Sequence, residues 1–292
     1  MMDYNKHEVC LLCGSDQLQK MKNYQHAYLV KCRNCSFVFS ERIPTMQELI
    51  DHYTSTYSRA DYLSPLTVKR YHELLDKFEP YRKSNRLIDV GCGIGYFLQV
   101  AKERGWQVYG TEYTDDAVKI CRDKGFNIHQ GKLDPSVYEP GFFDIVTSFE
   151  VLEHINNPNE ELANFNTILR QGGLVYFTTP NFNSLSRLST QELWTVIQYP
   201  EHLCYYTRAT LGNLFRRHGF RRKKFQTTGF SVTRFQIAST NVKQKYIDEG
   251  SADERLRNQM ESGAMSFAKK VFNGIFTLTG TGDTLKGWFE KK

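Results

Sequence analysis

The chain runs to 292 residues, 40% of them hydrophobic, with a formal net charge of +6. That is enough for one large domain and a small module, and no stretch approaches the ~20 apolar residues that a membrane-spanning helix needs. The segment before Cys10 carries a histidine and two acids but no apolar centre, so a signal peptide is not expected and a cytoplasmic protein is.

Cys10-x-x-Cys13 and Cys32-x-x-Cys35, eighteen residues apart, make a paired-knuckle pattern. Two thiolates from each tight turn suit a tetrahedral zinc site. Two disulfides or an iron–sulfur centre are the competing uses of four such thiols, and a reducing compartment favours metal. With every position filled by sulfur, the site is expected to be closed and structural. About forty residues are too few for a self-sufficient core, whereas structural zinc supplies ~10–16 kcal/mol in small modules. The ribbon is placed at residues 1–42 and a linker at 43–83, where Ser64-Pro65 precedes a helix over Leu66 to Phe78. His52, Tyr53, Tyr57, Tyr62, Tyr71 and His72 in the linker are candidates for an acceptor-side wall or for packing against the domain.

Leu87 to Val90 reads as a buried strand and Tyr96 to Arg104 as the helix after it, with Asp89-Val90-Gly91-Cys92-Gly93-Ile94-Gly95 between them. Glycines admit positive φ and let a ligand lie on bare backbone, and the helix N-terminus offers unpaired N–H groups to an anion. A nucleotide-like guest follows. The dinucleotide fingerprint does not fit, because its third glycine would fall on Tyr96. The second strand, Gln107 to Glu112, ends in a carboxylate able to accept from two neighbouring hydroxyls. Thr114 is expected to cap a helix stopped by Gly125. Phe126 to His129 reads as a third strand, followed by the turn Gly131 to Asp134.

Phe142 to Ser148 is the fourth strand, and Glu150-Val151-Leu152-Glu153-His154 follows it. Asn157-Pro158-Asn159-Glu160 is a helix start. Leu162, Phe165, Ile168 and Leu169 recur at helical spacing, and Gln171-Gly172-Gly173 is expected to end that helix before a fifth strand over Leu174 to Thr179. Alternating strands and helices imply an α/β fold with a mostly parallel sheet covered on both faces.

Beyond it, Thr207 is expected to cap a helix bearing Leu211, Leu214 and Phe215 and ended by Gly219. The loop ahead holds Tyr199-Pro200-Glu201-His202, and ligands of open parallel sheets sit at the carboxyl ends of the strands. His202 is therefore a candidate base near neutral pH, Glu201 a candidate to orient it, and His154 a third catalytic candidate; each is also able to serve as a tie between loop and core. Strands are expected over Lys224 to Ala238 and Thr284 to Glu290, with a helical insertion at 241–279 whose Phe267, Val271, Ile275 and Phe276 suit core packing, a homodimer contact or a membrane surface. Arg216-Arg217-His218 and Arg221 to Lys224 form the dense basic cluster, read mainly as a solvated edge. Cys92, Cys121 and Cys204 show no pairing pattern.

Asp89 with Gly91, Gly93 and Gly95, Glu112 one βα unit later, and the Phe143-Asp144…Glu150-Val151-Leu152-Glu153-His154 run together resemble the class I S-adenosylmethionine (SAM) methyltransferases. The ribbon and the Pro200-Glu201-His202-x-x-Tyr205 loop resemble members acting on sugars, quinones and other small molecules. The resemblance implies a Rossmann-like, mostly parallel seven-stranded sheet over 84–292. It places the methionine end of SAM on the glycine loop, the ribose on Glu112, and adenine near Leu133 and Asp134, with Glu150 also at the cofactor. It implies in-line methyl transfer to a small-molecule or glycan acceptor through O or C. The alternatives are an RNA base methyltransferase whose ribbon grips nucleic acid, and a non-catalytic partner protein. Thr179-Pro180-Asn181 departs from the motif of exocyclic-amine methylation.

Overall fold

The computed structural model describes residues 5–56, 63–230 and 263–292. Its large sheet is built from β4 (Arg86–Val90), β5 (Gln107–Glu112), β6 (Asn127–Gln130), β7 (Phe143–Phe149), β8 (Leu169–Pro180), β10 (Phe220–Thr228) and β11 (Thr284–Lys291). They lie in the order β10-β11-β8-β7-β4-β5-β6. The pairings among β4, β5, β6, β7 and β8 are parallel, and β11 runs antiparallel to both β8 and β10. Helices α3 (Tyr96–Glu103), α4 (Asp115–Asp123), α5 (Pro158–Ile168) and α7 (Arg208–Arg217) link or flank these strands. Leu87 and Ile88 of β4 and Phe143, Ile145 and Val146 of β7 are fully buried, as continuous apolar strands covered on both faces must be.

Two local expectations change. Gln171-Gly172-Gly173 does not end α5: the helix stops at Ile168 and β8 already runs through the glycine pair. Gly172 takes φ +70°, the β7–β8 register shifts between Phe143 and Ile145, and a Cβ on Gly173 would stand 2.9 Å from the Asp144 carbonyl oxygen. The glycines form a bulge where two strands approach closely, a use of glycine that looks the same in sequence as a helix stop. Thr114 does precede α4, but its hydroxyl makes no capping bond and donates to Glu112 instead. Thr207 caps α7 as anticipated, accepting from the Thr210 N–H at 3.2 Å.

The ribbon forms a second sheet from β1 (Leu18–Lys20), β2 (Leu29–Cys32) and β3 (Val38–Ser40). Its fourth strand, β9 (Cys204–Tyr205), comes from the far end of the chain: Val38 pairs with Tyr205 and Phe39 with Cys204. Phe37 and Phe39 are fully buried in one apolar cluster with Phe177, Phe215 and Phe289 of the large domain. Burying a side chain of this size is worth about 1.5–3 kcal/mol, and these two rings join the ribbon's core to that of the large domain. Asn159 Nδ2 donates to the Leu11 carbonyl at 2.6 Å, and Arg217 reaches the Leu12 carbonyl. Two helices lead into the domain, α1 (Met46–Thr56) and α2 (Pro65–Phe78), while α6 (Leu185–Thr190) follows β8.

Residues 263–279 are helical, as α8 (Gly263–Thr279), whereas 241–262 and the 231–238 part of the expected strand lie outside the described residues. Phe267 is 71% exposed and Val271 and Ile275 are also open, so core packing is not their role in a single copy; Phe276 is partly covered. None of the described helices is long and apolar enough to cross a membrane.

Candidate active site

The glycine loop sits where β4 ends and α3 begins. Gly91, Gly93 and Gly95 take φ of +72°, +54° and +78°. A Cβ on Gly91 would lie 2.5 Å from Val151 Cγ2, and one on Gly95 2.8 Å from Phe126 Cε2 and 2.9 Å from Cys121 Sγ. Gly93 has nothing within 4 Å on that side. Two glycines therefore serve packing, and the middle one offers bare backbone to open space.

Glu112, ending β5, is locked in front of this opening. Its Oε1 accepts from the Tyr113 N–H (2.9 Å), the Thr114 N–H (3.0 Å) and the Thr114 hydroxyl (3.0 Å). Oε2 accepts from the Gly93 N–H at 2.9 Å, which leaves this oxygen with lone-pair capacity for a ribose hydroxyl. Asp89, 3% exposed, accepts from the Thr147 hydroxyl at 2.7 Å. Burial pushes its carboxyl up to about 7, with the Glu112 charge adding to the rise. Leu133 is buried in the core next to α5, and Asp134 caps a short turn through the Ser136 N–H (2.9 Å) and hydroxyl (2.7 Å). Glu150 follows the last residue of β7 with φ +52°, its N–H held by the Thr178 carbonyl at 2.9 Å. Cys92 is buried and Cys121 donates to the Gly93 carbonyl at 3.3 Å, both packing the loop from behind.

At the ends of β7 and β8 a second constellation assembles. Glu153 is buried and accepts from the Thr179 hydroxyl at 2.9 Å. Burial, reinforced by the charges of Glu150 and Glu201, holds its carboxyl well above the usual range. The rings of His154 and His202 meet edge to face with centroids 4.7 Å apart. Burial pulls His154 below its ordinary value. Nδ1 of His154 donates to the Glu201 carbonyl (2.8 Å) and Nδ1 of His202 to the Val196 carbonyl (2.7 Å). Since a carbonyl only accepts, each of these rings carries a hydrogen on Nδ1. The Glu201 carboxylate faces outward to His52 Nε2 at 3.3 Å. Loop and turn are stitched by Leu203 N–H to the Glu153 carbonyl (2.8 Å), Cys204 Sγ to the Ile155 carbonyl (3.1 Å) and Tyr206 hydroxyl to the Leu152 carbonyl (3.3 Å).

The structure thus brings His154 and His52 to the Glu201–His202 pair that the sequence offered, with the Glu201 carboxylate on His52 and the His154 ring on His202. Thr147 and Thr179 were missed; the signal was a hydroxyl at an inward position of an otherwise apolar strand. Tyr71 packs on Phe97 and Phe149, at 5.2 and 6.1 Å between centroids, while Tyr57 and Tyr62 lie outside the described residues.

Cys10, Cys13, Cys32 and Cys35 converge, with their sulfurs within 4.8 Å of one another. Sγ–Sγ separations of 3.5 Å (Cys10–Cys35) and 3.6 Å (Cys13–Cys32) are too long for disulfides. They approach the roughly 3.8 Å edge of a tetrahedron with 2.3 Å zinc–sulfur bonds. Both knuckles repeat one turn: Gly14 N–H to the Cys10 carbonyl and Ser36 N–H to the Cys32 carbonyl, each at 2.9 Å, with Gly14 and Ser36 at φ +72° and +61°. The cluster fits a structural zinc.

The basic cluster lies elsewhere. Arg208, Arg216, Arg221 and Arg222 line an open cavity of about 870 Å³ that includes no residue of the glycine loop or of the imidazole pair. Arg221 and Lys223 both pair with Glu290.

A glycine loop opening a helix after the first strand of the large sheet, an acid ending the next strand, and this strand order are those of the SAM-dependent methyltransferase fold. A family model for a methyltransferase domain matches residues 61–222, more than half of the chain, and the chain belongs to that family. It is 29% identical over 133 residues to a ubiquinone biosynthesis O-methyltransferase of Bordetella avium, covering 43% of this chain and 54% of that one. The chain thus spans about half the length of that relative. A SAM-dependent methyltransferase from Archaeoglobus fulgidus superposes with a TM-score of 0.54 at 19% identity, covering 83% of this chain and 99% of that one. Phosphoethanolamine N-methyltransferase 2 of Haemonchus contortus, in complex with SAM, gives 0.55 at 17% identity, over 87% and 61%.

Proposed function

We propose that this protein transfers a methyl group from SAM to a hydroxyl oxygen of a small-molecule acceptor. One observation carries the reading: the open face of Gly93 with the immobilised Glu112 lies at the same carboxyl edge of the sheet as the paired imidazoles. SAM supplies an already electrophilic methyl group, so the chain's task is alignment. Well-oriented reactants lower a barrier by ~7–11 kcal/mol. A general base adds ~10²–10⁴ in rate, or about 3–5 kcal/mol. Gly93 and Glu112 hold the cofactor, and His202, beside His154, is the group set to take the acceptor's hydroxyl proton. The O-methyltransferase relative supports oxygen as the acceptor atom; a sugar or glycan precursor is one member of that hydroxyl class. An RNA-gripping ribbon is less well supported, because β9 occupies the outer side of β3 and Arg217 and Asn159 hold the knuckle against the domain.

Calorimetry with SAM tests the donor half. The wild type is expected to bind, and Glu112→Ala to weaken binding at least tenfold, the loss of one charge-assisted hydrogen bond at about 1.5–3 kcal/mol. A wild type that gives no binding overturns the reading.

A further inference from the structure

We infer that α8 and the arginine-lined cavity beside it form one docking face for an anionic lipid bilayer, which the protein meets without crossing it. The helix turns polar residues toward the sheet. Asn273 Oδ1 accepts from the Gly229 N–H at 2.9 Å, and the Thr277 hydroxyl donates to the Thr227 carbonyl at 3.0 Å. Phe267, Val271, Phe272, Ile275 and Leu278 share the other side of the helix and are exposed, Leu278 by 85%. A helix packed only against its own domain shows the opposite pattern, apolar face inward. Just past its end, the Leu185 N–H donates to the Thr281 carbonyl at 2.9 Å, and α6 adds the exposed Leu185 and Leu188. An exposed apolar face of this kind marks an interaction site.

Charge selects the occupant. Leu278 belongs to the apolar side of α8 and also lines the cavity of about 870 Å³, whose cations are Arg208, Arg216, Arg221, Arg222 and Lys292. No acidic side chain is among the described residues that line it. Arg208 Nη1 donates to the Thr277 carbonyl at 2.7 Å, which ties the cavity to the last turn of α8. Guanidinium groups hold phosphate oxygens through paired hydrogen bonds, so the cavity suits the phosphates of anionic lipids while the apolar side enters the acyl boundary. An apolar helix face bordered by basic residues is the pattern of a helix lying in the plane of a bilayer surface. A second copy of the chain, itself at net charge +6, brings no complementary charge to these arginines. The cavity holds no residue of the glycine loop or the imidazole pair, so this face stands independently of the methyl-transfer reading.

Flotation of the full chain with lipid vesicles is the test. The wild type is expected to rise with vesicles of equal parts phosphatidylcholine and phosphatidylglycerol, to stay behind with phosphatidylcholine alone, and to be released by salt. Arg216→Gln with Arg222→Gln should weaken binding about fivefold for each cation removed, roughly 25-fold together. Phe267→Ser with Leu278→Ser should weaken it by about tenfold or more. All four side chains are exposed, so both double variants should keep the wild-type urea midpoint. A variant that does not keep it is replaced by its single substitutions, each expected to weaken binding in part. A wild type that ignores the phosphatidylglycerol vesicles, or variants that all bind as the wild type does, overturns the face. Loss in one pair alone, with the other unchanged, reduces it to an anion cavity or an apolar contact and overturns it as stated. A dimer in sedimentation that Phe267→Ser with Leu278→Ser dissociates, without vesicle binding, would give the apolar side to a second copy and overturn the bilayer.

Discussion

Gly93 and Gly95 both have left-handed backbones, yet a methyl group added to each should do opposite things. At Gly95 the new Cβ meets Phe126 at 2.8 Å and Cys121 at 2.9 Å, and both neighbours are buried, so neither can swing away. Overpacking of this kind costs typically 1–3 kcal/mol, and the left-handed conformation with a Cβ roughly 1–2 more. Gly95→Ala should therefore lose about 2–5 kcal/mol of unfolding free energy. At Gly93 only the backbone component applies, about 1–2 kcal/mol, because nothing stands within 4 Å. The added methyl instead occupies the surface proposed above to carry SAM, and a loss of about 2 kcal/mol there would be roughly thirtyfold in affinity. Urea denaturation and SAM calorimetry on both variants give the readout. Gly95→Ala should be the less stable protein and keep its SAM affinity within about threefold, while Gly93→Ala should be the more stable and bind poorly. Gly93→Ala binding SAM as tightly as the wild type would refute the placement of the ligand on this loop.

Two further outcomes follow from the same geometry. Asp89 carries a raised folded-state value of about 7, so it holds a proton in the fold that the unfolded chain releases above pH ~4; its contribution favours the fold on the acid side and fades as pH rises toward 7. If a cationic ligand beside it displaces that proton, SAM binds about tenfold more weakly at pH 6 than at pH 8; an equal dependence in Asp89→Asn would show that another group is responsible. Removing the ribbon's zinc, by Cys35→Ser, should leave SAM affinity within about threefold but cut methyl transfer by roughly 10²-fold, the cost of misplacing a reacting group by about 1 Å, because β3 pairs directly with the strand after His202. Full turnover in a zinc-free ribbon variant would sink that coupling.

The donor half of the site was legible because each of its signals is local. A strand, an acid, three alternate glycines and a helix are consecutive, and Glu112 ends the next strand. The acceptor half was not. His154 and His202 are far apart in sequence, and what joins them is a set of hydrogen bonds to backbone carbonyls, which leave no mark on residue choice. The ribbon's boundary was hidden for a similar reason: β9 is two residues long, shorter than any periodicity can register, and it lies far along the chain from the cysteines. Gly172 and Gly173 misled because a helix stop and a bulge ask the same thing of a residue, a positive φ or a missing Cβ.

The most direct test of the central claim supplies the purified protein with methyl-labelled SAM and a panel of hydroxyl acceptors, catechols and sugar nucleotides among them, alongside total RNA. The label should appear in a nuclease-resistant small molecule, in a bond that survives mild base as an ether does, and should fall sharply in His202→Ala. Label carried by RNA and lost on ribonuclease treatment would contradict the account and turn the docked ribbon into part of an RNA-binding surface.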